Sequence, residues 1–88
     1  MNYDSLDIVI PVYNEAATIA ETLHEIGEKL HMPFRVHVVY DHEEDSTLPI
    51  VREKFRENPN MQLRYIYEHS PWAEQSYLRY PVYRMNRN

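Results

Sequence analysis

Cysteine is absent from the 88 residues, and glycine occurs once. Without cysteine there is neither a disulfide nor a thiolate metal ligand, and redox compartment leaves no mark on the composition. The single glycine, Gly27, falls inside a helical pattern. Loops that cradle phosphate on backbone amides need clustered glycines, so neither a Walker loop nor a dinucleotide fingerprint can be drawn. Long apolar runs are also missing. None approaches the roughly 18 residues that span a bilayer, so no transmembrane segment is expected. The first residues are polar and acidic, unlike a signal peptide, and a cytoplasmic location is expected. Basic residues are in the minority: nine Lys and Arg stand against fourteen Asp and Glu, a net charge of −5. The imbalance is local. Residues 1–68 hold six basic and thirteen acidic side chains, whereas residues 69–88 hold three and one. An acidic body lacks the cationic face that displaces counterions from nucleic acid, so no nucleic-acid partner is expected.

What is present fits one small α/β domain. A chain this short buries only about 60–65% of its unfolded surface, which makes it marginally stable. Leu6 to Val12 contains the continuous apolar run Ile8-Val9-Ile10, the mark of a strand buried on both faces, and Pro11 limits its pairing. Asn14 is a good N-cap for a following helix, whose apolar positions Ile19, Leu23, Ile26 and Leu30 are spaced four, three and four apart. Pro33 stops that helix. Phe34 to Tyr40 predicts a second strand. Ser46 or Thr47 can cap a second helix with Pro49 in its first turn and Leu48, Val51 and Phe55 on its buried side. Asn58-Pro59-Asn60 is a turn, and Met61 to Tyr67 a third strand. The order β-α-β-α-β with short links predicts a three-layer parallel sheet with helices packed on its faces.

In such sheets, ligands bind at the carboxyl ends of the strands. Strand one ends in Pro11, Tyr13, Asn14 and Glu15, and strand two in Tyr40, Asp41, His42, Glu43, Glu44 and Asp45. Neighbouring strands lie about 4.8 Å apart, so the two clusters face one crevice. Tyrosines beside carboxylates suit a planar heterocycle with N–H donors, such as a nucleobase: the ring stacks and a carboxylate accepts the N–H. A metal reading of His42-Glu43-Glu44-Asp45 is weaker, because successive residues cannot all point one way. No metal ligand is assigned there, and a solvated acidic loop accounts for the run.

The motifs Ile10-Pro11-Val12-Tyr13-Asn14-Glu15 and Val38-Val39-Tyr40-Asp41, the latter followed by Asp45-Ser46-Thr47, resemble the opening of a family-2 glycosyltransferase of the GT-A fold, a Rossmann-like nucleotide-sugar-binding architecture. The nearest type is the polyprenyl-phosphate (dolichol-phosphate) sugar synthases. The resemblance implies that Pro11, Tyr13 and Glu15 line a base and ribose pocket, and that Val39 and Asp41 bind the nucleobase from the second strand. It implies a nucleotide diphosphate sugar as donor and a polyprenyl phosphate at the membrane surface as acceptor. The full-length family uses Mg²⁺ or Mn²⁺. There are departures. Tyr40 stands where the family has the first of two aspartates, and His42-Glu43 where it has Gly-Ser. Its later Asp-x-Asp occurs nowhere here, and no acceptor-side base can be identified. The chain is therefore expected to be the N-terminal, donor-binding part of such an enzyme, to bind no metal tightly and to have no catalytic residue of its own.

The reading sets residues 1–68 apart from an atypical tail, 69–88. There the family has a glycine-rich segment with a basic residue, and this chain has Ser-Pro-Trp-Ala-Glu-Gln-Ser. The tail is expected to be disordered or to hold a short helix over Trp72 to Tyr80. Codons allowed for Ser70 to Gln75 also read Pro-Met-Gly-Arg-Ala in another frame, so an out-of-frame tail is a further expectation. Its Trp72, Tyr77, Tyr80 and Tyr83 with Arg79, Arg84 and Arg87 form an aromatic and basic set. The alternative for the whole chain is a non-catalytic nucleotide- or protein-binding α/β module. A receiver-like signalling domain would need a phosphorylatable aspartate after the third strand and a later lysine, and neither is present.

Overall fold

The structure, a computed structural model, describes residues 6–84. Arg87 of the tail set lies outside them. The chain runs β1 (Leu6–Pro11), α1 (Ala16–Lys29), β2 (Phe34–Tyr40), α2 (Thr47–Glu57), β3 (Met61–Tyr67) and α3 (Pro71–Arg79). The three strands are parallel in the order β1-β2-β3. Register runs from Leu6↔Phe34 to Pro11↔Val39 and from Phe34↔Met61 to Tyr40↔Tyr67. The three carboxyl ends are therefore level, which brings the following loops to one rim. The β-α-β-α-β reading holds, in an arrangement consistent with part of a GT-A fold.

Strand periodicity divides the core in two. Ile10, Val12, Val36 and Val38 face α1 and α2, where Ile19, Leu23 and Val51 close over them. Val9, Val39 and Ile66 face the opposite way, onto Ala73 of α3, with Tyr77, Tyr80 and Val82 around it. All seven residues named in the first group and the buried four of the second (Val9, Val39, Ile66 and Ala73) are shielded from water, so β1 and β2 lose water from both faces, as their unbroken valine and isoleucine runs require. At Gly27 of α1 a Cβ would meet the side-chain nitrogen of Asn58, the residue that ends α2, at 2.9 Å.

Two local expectations are corrected. Asn14 is not the N-cap of α1; that position is Glu15. Asn14 instead adopts a left-handed backbone (φ 46°), which asparagine tolerates better than most residues, and turns its side chain towards the β2–α2 loop. Phe55 is exposed rather than buried. It sits beside β3, the outer strand, in a shallow depression with Leu63 and Tyr65, and no strand among the described residues lies beyond to cover it.

Where the tail was expected to be either disordered or a short helix, the structure forms α3 from Pro71, whose missing N–H is harmless in a first turn. Ala73, Tyr77 and Tyr80, spaced four and three apart, are its sheet-facing stripe. The chain then reaches the free edge of β1. Val9 N–H donates to Pro81 C=O (2.9 Å), and Tyr83 N–H donates to Val9 C=O (2.7 Å), a parallel bridge of Val9 with Val82. So β1 has β2 on one side and residues 81–83 on the other. The helices after β1 and β2 cover one face, and the helix after β3 covers the other. His37 is sealed beneath α3, its Nε2 2.8 Å from Asp7 Oδ1 and its ring stacked on Tyr80 at 4.8 Å.

Candidate functional site

The strand order reverses at β1, and open α/β sheets bind ligands outside the carboxyl ends of the strands at that point. A cavity of about 270 Å³ lies there. Pro11, Val12 and Tyr13 line it from the end of β1 and the turn after it, Val39, Tyr40 and Asp41 from the end of β2 and the residue after it, Glu68 from just after β3, Tyr77 from α3, and Arg84 from beyond the Val82 bridge. Three depressions are larger: one of about 300 Å³ lies between α1 and Tyr83, and two, of about 330 and 350 Å³, run along α2 and share Arg52 and Tyr65. The two along α2 lie on the α1 and α2 side of the sheet, away from the switch in strand order.

Of the five residues singled out from the sequence, Pro11, Tyr13, Val39 and Asp41 line the cavity together. Glu15 does not. Its Oε1 accepts the Tyr13 N–H at 2.9 Å, so it braces the turn that presents Tyr13. The Tyr13 ring is half-exposed and meets the His42 ring edge-on at 5.5 Å. Asp41 is exposed, and its Oδ1 is 2.7 Å from His42 Nδ1. That hydrogen bond to Asp41 raises the His42 pKa above its ordinary value, against the opposing effect of desolvation.

Asp45 holds the rim together. It is buried, and its carboxylate accepts the Asn14 N–H with both oxygens (3.1 Å each) and the Thr47 N–H with Oδ1 (2.8 Å). The lacing is reciprocal: Thr47 Oγ1 accepts the Glu15 N–H (2.8 Å), and Asn14 Oδ1 accepts the Ser46 N–H (3.1 Å). Burial alone would raise the Asp45 pKa. The hydrogen bonds from Thr47 and Asn14 outweigh it, and the net direction is downward. These contacts fix the β1–α1 turn against the β2–α2 loop, which sets the spacing of Tyr13 and Asp41 across the cavity mouth.

Among the described residues, Asp41, His42 and Asp45 bring potential metal-ligand atoms within 4.8 Å of one another. They do not fit the Mg²⁺ or Mn²⁺ of the resemblance. Those ions need a shell of several oxygens. Both Asp45 oxygens already accept backbone N–H groups, and one Asp41 oxygen is engaged by His42.

The far wall was not foreseen. Tyr77 donates its hydroxyl to Glu68 Oε2 at 2.8 Å, and its pKa is pushed up to about 12, first by burial and then by that carboxylate. Arg84 lies over the Tyr77 ring, 5.9 Å from its centroid. The spacing of Ala73, Tyr77 and Tyr80 was the available signal. It marks a helix face, but not which side of the sheet that face covers. The whole arrangement offers a carboxylate acceptor, tyrosine rings and one guanidinium around a space sized for a planar ring.

Residues 7–76 match the sequence model of Glycosyl transferase family 2. No curated protein and no solved structure matches the chain. The matched span runs from β1 through the first turns of α3 and so contains the strand ends that carry Pro11, Tyr13, Val39 and Asp41. On that match, over most of its length and across both cavity-forming loops, the chain belongs to glycosyl transferase family 2.

Proposed function

We propose that the strand-end cavity receives the base and ribose of a nucleotide diphosphate sugar, in the manner of a cytoplasmic polyprenyl-phosphate sugar synthase. Asp41 accepts an N–H of the base, Val39 and Pro11 contact its ring, and Tyr13 flanks it, with Glu15 bracing the Tyr13 turn. The supporting observation is the convergence of Pro11, Tyr13, Val39 and Asp41 on one cavity at the reversal of strand order, inside the span matched to the family. The donor role follows from family membership. The polyprenyl phosphate acceptor rests on the resemblance of the IPVYNE and VVYD motifs to that type of enzyme.

These 88 residues supply donor binding without turnover. They contain no Asp-x-Asp, and in the acidic loop Asp45 and one oxygen of Asp41 are already engaged, so no step through a metal is assigned to them. Two measurements test this together. Nucleoside diphosphate should shift the amide resonances of residues 13–15 and 39–41. The same protein incubated with nucleotide sugars, Mn²⁺ and a polyprenyl phosphate should release no nucleoside diphosphate above background. Shifts confined to other regions would refute the pocket, and turnover abolished by Asp41→Ala would refute catalytic silence.

A further inference from the structure

Three charged side chains line the strand-end cavity, and two of them, Asp41 and Glu68, are carboxylates. The third is Arg84. A diphosphate entering this rim meets like charge from Asp41, Glu68 and the neighbouring acidic loop, and the residues present do not fit a divalent ion that would offset it. Two features place the arginine. The bonds of Val9 with Pro81 and Tyr83 tie the backbone immediately before it to the edge of β1. The Tyr77 ring lies beneath its guanidinium, and that ring is fixed in turn by the hydroxyl bond to Glu68. Glu68 is thereby engaged by Tyr77, and no carboxylate among the described residues forms an ion pair with Arg84.

We propose that Arg84 is the phosphate contact of this cavity, held over Tyr77 so that a nucleotide bound with its base at Asp41 directs its diphosphate to the guanidinium. The proposal rests on the nucleotide reading of the site. Its chemistry is that of a planar fork of N–H donors, which pairs with two phosphate oxygens at once and is weakly hydrated enough to lie on an aromatic face. A nucleoside and its diphosphate are then told apart by one side chain from the far wall, without a metal ion.

The test is titration of uridine, guanosine, UDP and GDP into the full chain in the presence of EDTA, read by amide chemical shifts. For whichever base binds, the diphosphate should bind about tenfold more tightly than the nucleoside, as one charge-assisted contact provides. Arg84→Gln should erase that ratio and leave nucleoside affinity unchanged, and Arg84→Lys should keep part of it. Higher salt should weaken the diphosphate and spare the nucleoside in the unmodified protein, which reads the same contact without a substitution. Unchanged Val9 and Ala73 amide resonances verify that the wall stands in each variant. The proposal is overturned if the ratio survives Arg84→Gln, or if that change weakens nucleoside and diphosphate alike, since the residue then only shapes the wall. A diphosphate no tighter than its nucleoside in the unmodified protein overturns it while leaving base binding intact. Failure of all four probes to bind overturns both readings.

Discussion

Asp45 shows how one residue of an acidic run can be structural while another stands exposed at the cavity mouth. Asp41 and Asp45 are four positions apart, yet one is exposed at the cavity mouth and the other is buried among backbone N–H groups. Removing a carboxylate that satisfies buried donors leaves them unpaired, and a hydrogen bond to a charged group is worth about 1.5–3 kcal/mol. Asp45→Ala is therefore expected to lower unfolding free energy by about 2 kcal/mol at neutral pH in urea titrations. The pH dependence has a definite sign. A carboxyl whose folded pKa lies below its unfolded one stabilises the fold above the ordinary value of 3.8, and loses that contribution as pH falls through the folded value. The gap between the parent protein and Asp45→Ala should close in that acid range. Equal stability at neutral pH, or a gap that persists in acid, would contradict this role.

At the scale of elements, the two sheet faces differ in how they are closed. Two helices cover one, whereas α3 alone covers the other through a small contact centred on Ala73. Ala73→Glu buries a charge against Val9, Val39 and Ile66, which is far costlier than undocking a nine-residue helix. Amide hydrogen exchange should then accelerate through residues 71–80 and at Val9 and Tyr83, while β2 and α1 stay protected. Unaltered protection of α3 would show that its packing does not depend on this contact. The elements differ just as clearly in what their sequences disclose. Strands β1 to β3 and helix α1 could be read because their apolar runs and four-three-four spacing are long enough to leave one solution. The cap of α1 could not: Asn14 looks like a capping residue, but its conformation serves a cross-loop bond with Ser46 that only the folded pair of loops creates. The return of the chain to β1 was equally hidden, since it is made by backbone groups of Val9, Pro81 and Tyr83, which carry no side-chain signature. Hence Pro11, Tyr13 and Asp41 could be named from strand ends and Val39 from the motif resemblance, whereas Glu68, Tyr77 and Arg84 could not be placed at the cavity.

At the scale of the whole molecule, charge and topology work in opposite directions at the site. The chain carries a net charge of −5, and most of its acid lies in the part that builds the strand-end loops. Topology brings the chain back to the edge of β1 by passing α3 across the second face, so the cavity gains the Arg84 guanidinium from a segment about forty residues away from Asp41 in sequence. The protein is thus a small parallel sheet whose switch in strand order carries a base-sized cavity. No helix among the described residues is long and apolar enough to cross a membrane. The decisive measurement is the affinity of a nucleoside diphosphate for the parent chain and for Asp41→Ala, followed at the amides of Tyr13 and Val39. Loss of the base N–H acceptor should weaken binding about tenfold or more, in line with one charge-assisted hydrogen bond. Equal affinity in the two proteins, with the same resonances shifting, would mean that Asp41 does not hold the base, and shifts that leave Tyr13 and Val39 untouched would mean that the cavity is not the donor site.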